Sequence, residues 1–355
     1  MADLYVSTSG SDSNSGGKDS PFKTIGKAAA AAKPGTTVHV APGTYEGGFT
    51  TTASGTPSNP ITYVSDETGG ARIVPPARSS SDMAWNNKGD NVVIRGFEVD
   101  GSQVQDGTPW RFGLYTTGTN SVVEHNTVHG IAHDPSRAGD SSGGGGIYGD
   151  GYHGGTNITV RGNEVYDIGP DGADSSLIHG IYHSTTGTIA DNTVHGNAGV
   201  GIHLWHDAHE VDIVNNTVTT SNMGIWVGGG DTYRHDGPAD HVTVSGNSIH
   251  DNRAFGVAEG GDTGTNNRYL GNEVSGNGTD WRLQNGLKPQ AAAEALSAET
   301  LVPEHLFLVQ QQAAQAAEPA AEATPVVTAA AVEAAPAAGH ADADLPDPSL
   351  LHSGG

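Results

Sequence analysis

The stretch from Leu177 to His206 concentrates residues that transfer protons. It contains five histidines and two nearly repeated pieces, Gly180–His183 and Gly201–His206. A neutral imidazole at its ordinary pKa accepts a proton near pH 7, and a tyrosine beside it can act as acid or base. We therefore expect general acid–base chemistry from Tyr182, His183 and His203, with His179 and His206 close by.

The residues around these histidines form a repeat. The element Asn-X-Val/Ile recurs at Asn126, Asn163, Asn192, Asn216, Asn247 and Asn272, and Gly-(Ile/Leu/Val)-X recurs at Gly113, Gly146, Gly180, Gly201, Gly224 and Gly256. The shortest repeats are about 22 residues long and consist of short β-type runs with turns. Such a chain stacks into a parallel β-solenoid. We expect the asparagine to occupy a turn where αL geometry is tolerated and where stacked amides hydrogen-bond from coil to coil.

Alternation within each Gly-Ile-X strand assigns its side chains to faces. The isoleucines point inward, and the residue after each points outward, which gives the column Tyr115, Tyr148, Tyr182, His203, Trp226 and Ala258. Aromatic rings stack on the apolar faces of sugars, so this column predicts a binding face for an elongated glycan. The candidate binding residues of this strip are Tyr115, Tyr148, His179, Trp205, His206 and Trp226. The alternative is an aromatic ladder that only stabilises the sheet.

Other histidines have simpler explanations. His183 shares its register with Leu204 and Val227, so it is either a catalytic residue or an interior histidine. His195 aligns with His129 and His250 just after the asparagine, which indicates a feature of the turn. The histidines could also bind a transition metal, but their spacing on strands does not place two rings on one face automatically.

Composition divides the chain into three regions. Residues 1–35 predict a strand and a capping helix that begins at Ser20 and Pro21 and ends before Pro34, and residues 36–287 predict the solenoid. Residues 288–355 are rich in Ala, Pro and Glu and predict a disordered tail. The fold class is therefore all-β, a parallel β-helix with a short N-terminal capping helix and a disordered C-terminal tail.

Charge excludes some partners. With 16 Lys+Arg against 40 Asp+Glu, the formal net charge is −24, so we expect no nucleic-acid or membrane partner, since both need a basic face. There is no cysteine, which excludes thiol chemistry. We expect a monomer that is extracellular or at the cell surface. The first residues lack a Sec-type signal, so export by a C-terminal signal or a cytoplasmic location remains open.

The opening "YVSTSGSDSNSGGKDSPFKTIGKAAAAAKPGTTVHVAPGTYEGG" and units such as "HGIYHSTTGTIADNTVHGN" resemble right-handed parallel β-helix polysaccharide lyases of the chondroitinase B, alginate lyase and pectate lyase type. The resemblance covers about residues 4–280. It implies β-elimination from a uronic acid, which needs a base for the C5 proton, groups that neutralise the carboxylate, and an acid for the leaving oxygen. Some of these lyases use a lysine base, but every lysine here lies outside the central coils, so a His/Tyr base is expected.

The long loops beside the column supply candidates for the remaining roles. Arg234, expected to be catalytic, and His235 and Arg137 are candidate carboxylate clamps, and a Ca²⁺ ion is a possible cofactor. The candidate calcium ligands are Asp150, Asp171, Asp174 and Asp231. The expected function is a lyase for an alginate- or pectate-like glycan. Two alternatives are a uronan C5-epimerase, although its "Asp-Pro-His-Glu" pattern is absent, and a non-catalytic glycan-binding solenoid.

Overall fold

In the computed structural model, residues 3–78, 81–103, 108–134, 143–170, 176–230 and 237–291 are described. They form a parallel β-helix of three sheets, to which each coil contributes one strand per sheet. Among these residues no helix is long and apolar enough to cross a membrane. The candidate residues Arg137, Asp171, Asp174, Asp231, Arg234 and His235, and the predicted tail beyond residue 291, lie outside the described residues.

Sheet I has ten strands, which are β1 (Asp3–Val6), β2 (Thr37–Val40), β5 (Ile61–Ser65), β8 (Val92–Arg95), β11 (Val122–Glu124), β14 (Ile158–Arg161), β17 (Gly187–Ala190), β20 (Val211–Val214), β23 (Thr243–Ser245) and β26 (Arg268–Leu270). Sheet II has nine, which are β3 (Gly43–Glu46), β6 (Ala71–Val74), β9 (Glu98–Asp100), β12 (Thr127–Ile131), β15 (Glu164–Ile168), β18 (Thr193–His195), β21 (Thr217–Thr219), β24 (Ser248–His250) and β27 (Glu273–Ser275). Sheet III also has nine, which are β4 (Phe49–Thr51), β7 (Met83–Asn87), β10 (Phe112–Thr116), β13 (Gly144–Gly149), β16 (Ile178–His183), β19 (Val200–Leu204), β22 (Met223–Gly229), β25 (Phe255–Gly261) and β28 (Thr279–Arg282).

The single described helix, α1 (Ile25–Ala31), packs near β1, β2 and β4 through Ile25, Ala28 and Ala29. It begins later than the sequence predicts. Thr24, rather than Ser20, is the N-cap, and its hydroxyl accepts a hydrogen bond from the Lys27 amide. The carboxylate of Asp12 accepts hydrogen bonds from the Thr24 amide and hydroxyl. A residue outside the helix pattern therefore stabilises Thr24 as the N-cap.

The repeated asparagines form the predicted ladder between sheets I and II. The Oδ1 atom of Asn192 accepts from the backbone N–H of Asn163 at 2.9 Å, and the Asn192 N–H donates to Oδ1 of Asn216 at 2.9 Å. The same bonds join Asn126, Asn163, Asn192, Asn216, Asn247 and Asn272. The αL residue is not the asparagine itself but the one before it, such as Asp191 with φ 56°. Burial of these amides is tolerated because they are hydrogen-bonded.

The repeated glycines keep the interior narrow enough for close packing. A β-carbon at Gly201 would lie 2.4 Å from a methyl of Val218, and one at Gly180 would lie 2.6 Å from a methyl of Val194. Both valines belong to the Asn-X-Val element that comes next along the chain, in the following coil. The two sequence elements therefore complement each other, since the glycine leaves the space that the valine fills.

Candidate active site

The outward column of sheet III has the register that the sequence predicts. Tyr115 pairs with Tyr148, Tyr148 with Tyr182, Tyr182 with His203, and His203 with Trp226. The pairing extends the column in both directions, to Asn86 before Tyr115 and through Ala258 to Arg282. Asn86 and Arg282 do not stand out in the sequence, because neither lies in a Gly-Ile-X element.

The tyrosines of this column cover one another instead of lying open to solvent. Tyr115 and Tyr148 stack with ring centroids 5.4 Å apart, and Tyr148 and Tyr182 stack at 4.7 Å. Tyr148 and Tyr182 consequently keep only 7% and 8% of their surface exposed. Because each internal ring face is occupied by a neighbouring ring, the ladder offers ring edges, not faces, to a ligand above it.

Two imidazoles meet next to the last tyrosine. The Nδ1 atoms of His179 and His203 lie 3.1 Å apart, a hydrogen bond that requires one ring to donate from Nδ1 and the other to accept there. Both rings are buried. Burial lowers the pKa of His203 to about 3 and holds the pKa of His179 well below its ordinary value, so both are neutral at pH 7.

Aromatic rings surround His203. The ring of Tyr182 stands nearly perpendicular to it at a centroid distance of 5.6 Å, and Trp205 and Trp226 lie 5.8 and 5.6 Å away. His206 joins the group from the turn after β19, with its centroid 6.3 Å from that of Tyr182. The buried Nε2 of His203, the ring nitrogen not bonded to His179, has no hydrogen-bond partner. The predicted residues Tyr182, His203, His179 and His206 therefore converge, and the cluster carries one unsatisfied imidazole nitrogen.

The two tryptophans rest on glycine backbone. A β-carbon at Gly228 would lie 2.6 Å from Cε3 of Trp205, and one at Gly261 would lie 2.7 Å from its Cη2. One at Gly260 would lie 2.6 Å from Nε1 of Trp226. The glycine pairs and triplets at these strand ends thus let two large indoles lie close against the sheet beside His203.

His183 does not belong to this group. It pairs with Gly149 and Leu204 in the inward register and is fully buried. Its Nε2 lies 3.2 Å from the carbonyl oxygen of Thr186, while its Nδ1 has no partner. Burial lowers the pKa of His183 to about 4. The interior placement weighed from the sequence is the one the structure has, and a catalytic role for His183 is not supported because the side chain faces the core.

Asp150, the one candidate calcium ligand among the described residues, is engaged by protein donors. Its carboxylate accepts from the hydroxyls of Tyr115 and Ser184 and from the backbone N–H of Tyr152. Only 7% of its surface is exposed. These bonds tie the tyrosine ladder to the turn that follows β13, so both oxygens of Asp150 are already used to position protein groups.

Sheet II carries a second stack, at histidines for which the sequence predicts a turn feature. His129, Tyr166 and His195 lie on one strand face with ring centroids 4.9 and 5.1 Å apart and nearly parallel planes. Three potential metal ligands lie near the start of this stack, on Glu98, Asp100 and His129. One ligand atom from each lies within 4.8 Å of the other two, and this is the one group of three of this kind among the described residues. Arg72 pairs with both carboxylates, so their charge is already balanced by a guanidinium.

Two family descriptions match the chain. "Pel9A-like, right handed beta helix region" matches residues 4–143, and "Right handed beta helix region" matches residues 78–218. An uncharacterized protein of Bacillus subtilis, YwoF, is 26% identical over 309 residues, which are 73% of this chain. The chain spans 64% of the length of that relative.

Solved structures share the fold at low sequence identity. Pectate lyase Pel9A is 18% identical with a TM-score of 0.60, over 82% of this chain and 79% of its own. A rhamnogalacturonan lyase is 15% identical with a TM-score of 0.53, over 86% and 90% of the two chains. The A-module of mannuronan C-5 epimerase AlgE4 of Azotobacter vinelandii is 17% identical with a TM-score of 0.51, over 73% and 70%. Three parallel sheets, the matched regions and these neighbours together show that the chain has the right-handed parallel β-helix fold.

Proposed function

We propose that this protein is a polysaccharide lyase that cleaves an acidic, uronate-containing glycan by β-elimination on the outward face of sheet III. The observation that carries the proposal is the convergence of Tyr182 with the neutral pair His179–His203 around an unpaired imidazole nitrogen. An unsatisfied buried polar atom costs about 1–3 kcal/mol, which natural sites retain where a ligand or a proton transfer uses it. The structural similarity to lyases and to an epimerase that act on polysaccharides supports a glycan substrate.

In the proposed reaction a base takes the C5 proton of the uronate, the electron pair forms the C4=C5 double bond, and the C4–O bond breaks. The leaving oxygen then receives a proton from an acid. Tyr182 and His203 are the proposed pair for these two transfers, since a neutral histidine needs no prior deprotonation to accept a proton. The Nδ1–Nδ1 bond couples the tautomers of the two rings: in the proposed reaction Nδ1 of His203 donates to Nδ1 of His179, which leaves Nε2 of His203 free of a proton. A lysine base is not part of the proposal, because no lysine lies between residues 89 and 287.

The carboxylate of the uronate must be neutralised as negative charge develops next to it. Arg234, His235 and Arg137 stay the proposed donors for this role, and calcium held by loop aspartates stays an alternative. A polymeric substrate of this kind also favours an extracellular or cell-surface location.

The test is incubation of the purified chain with alginate, pectate, glucuronan and chondroitin, while the ultraviolet absorbance of unsaturated uronate is followed. Rising absorbance with one polymer supports elimination. A changed uronate NMR spectrum without absorbance would replace the lyase by an epimerase, and binding without either change would leave a glycan-binding solenoid. Parallel reactions with a chelator and with added Ca²⁺ determine whether a metal is required.

A further inference from the structure

We propose that Arg282 forms a second, distal subsite on the same face, which binds the carboxylate of a sugar several residues away from the one that reacts. This inference rests on the proposed function, because it assumes that an acidic glycan lies along sheet III. The residue comes from the last strand, β28, and pairs with Ala258 of β25. It therefore continues the column that runs through Tyr182, His203 and Trp226.

Positive charge is scarce in this chain, which has 16 Lys+Arg against 40 Asp+Glu. With so few basic residues, a guanidinium is not expected by chance in line with the aromatic column. Arg282 is exposed, and no ion pair joins it to a carboxylate among the described residues. Several other arginines on the solenoid are paired, for example Arg161 with Glu124 at 2.6 Å on sheet I.

The guanidinium is also held in place. Its central carbon lies 5.1 Å from the ring centroid of Phe255, which is on the neighbouring strand of sheet III. Stacking on an aromatic ring orders the planar fork while its N–H groups remain able to donate. An ordered fork loses less entropy when it binds a carboxylate through two parallel hydrogen bonds.

The spacing suits an elongated polymer. Three strand-to-strand steps separate His203 from Arg282, which is about 14 Å at about 4.8 Å per step. Ala258 lies between Trp226 and Arg282, so no large side chain separates the tryptophan from the arginine in this column. A glycan with a carboxylate on every sugar, laid along the column, would place one carboxylate near Arg282 while another sugar lies at His203. A glycan too short to span this distance would not reach it.

The experiment measures binding of oligouronates of two to eight sugars, and of the same oligosaccharides with their carboxylates reduced to alcohols. Arg282→Gln is compared with the unmodified chain and with Arg268→Gln, which removes an exposed arginine from sheet I. We expect Arg282→Gln to weaken binding of the longer oligouronates about twofold to fivefold, as for an exposed ion pair. Binding of disaccharides and of the reduced oligosaccharides should not change, and the difference should shrink at high salt.

Three results would overturn the inference. They are an unchanged affinity of Arg282→Gln for long oligouronates, an equal loss for short and long ones, or an equal loss in Arg268→Gln. If the unmodified chain binds no uronate of any length, the proposed function fails and takes the subsite with it. If the unmodified chain binds and Arg282→Gln binds equally well, only the subsite fails.

Discussion

Replacing His183 by leucine should make the fold less sensitive to acid without affecting the reaction. Burial lowers the pKa of this imidazole from 6.5 to about 4, so the unfolded chain binds a proton in a range where the folded chain does not. The contribution of neutral His183 to the free energy of unfolding is therefore fully present above pH 6.5, and it is lost as the pH falls toward 4. At about 1.4 kcal/mol per pKa unit, the loss approaches about 3 kcal/mol.

At neutral pH the leucine removes two features whose effects on the free energy of unfolding oppose each other. It deletes the hydrogen bond to the Thr186 carbonyl, and it removes the unpaired Nδ1, each worth about 1 kcal/mol. Leucine also occurs at this inward position in the next coil, at Leu204. We expect a free energy of unfolding near that of the unmodified chain at pH 7, and a higher one by about 2–3 kcal/mol at pH 4.5.

Urea denaturation at a series of pH values between 4.5 and 7.5 measures this difference. His183→Gln is the companion variant, since an amide retains a donor for Thr186 but does not titrate there, and it should show the same reduced acid dependence. If both variants lose stability with acid as steeply as the unmodified chain, the interior imidazole is not the cause. If either variant stays folded at pH 7 but loses activity, His183 takes part in the reaction and its assignment to the core is wrong.

Two further predictions concern the repeat. Asn192→Ala should lower the free energy of unfolding by roughly 2–5 kcal/mol, because it removes the side-chain partners of the buried Asn163 N–H and Val160 carbonyl. Urea denaturation measures this loss, and a value below about 0.5 kcal/mol would contradict the prediction. Gly201→Ala should destabilise the coil, since its methyl would overlap a neighbouring side chain, whereas Gly26→Ala in α1, where an added methyl meets nothing, should not. Thermal unfolding of the pair decides this, and equal stabilities would refute the packing argument.

Much of the scaffold could be predicted from the sequence because two repeated elements carry it. Asparagines and glycines at fixed places in each coil have a physical role that only those residues fulfil, the amide ladder and the space for a valine methyl. The outward column followed from alternation, and its register is confirmed from Tyr115 to Trp226.

The details that depend on side-chain directions could not be predicted. Alternation from Ile181 places His183 inward, as in the structure, but it would place His179 inward as well. The backbone at Gly180, which is skipped in the strand pairing, brings His179 to the side of Tyr182 and His203. Stacking of the tyrosines on one another depends on side-chain torsions that a strand pattern does not contain. The stack on sheet II was missed because Tyr166, its middle ring, interrupts the histidine pattern. Arg282 was missed because the last coil lacks the glycine that marks the others.

The central claim is that His203 and Tyr182 perform the chemistry on the outward face of sheet III. The most direct test is the initial rate of unsaturated-uronate formation, on the polymer that the panel identifies, for His203→Ala and Tyr182→Phe. His195→Ala on sheet II is the control, and folding of every variant is checked by circular dichroism. We predict that each of the two changes lowers the rate about 10²–10⁴-fold while His195→Ala keeps it, as expected when a general acid or base is removed. Full activity in a folded His203→Ala protein would contradict the account.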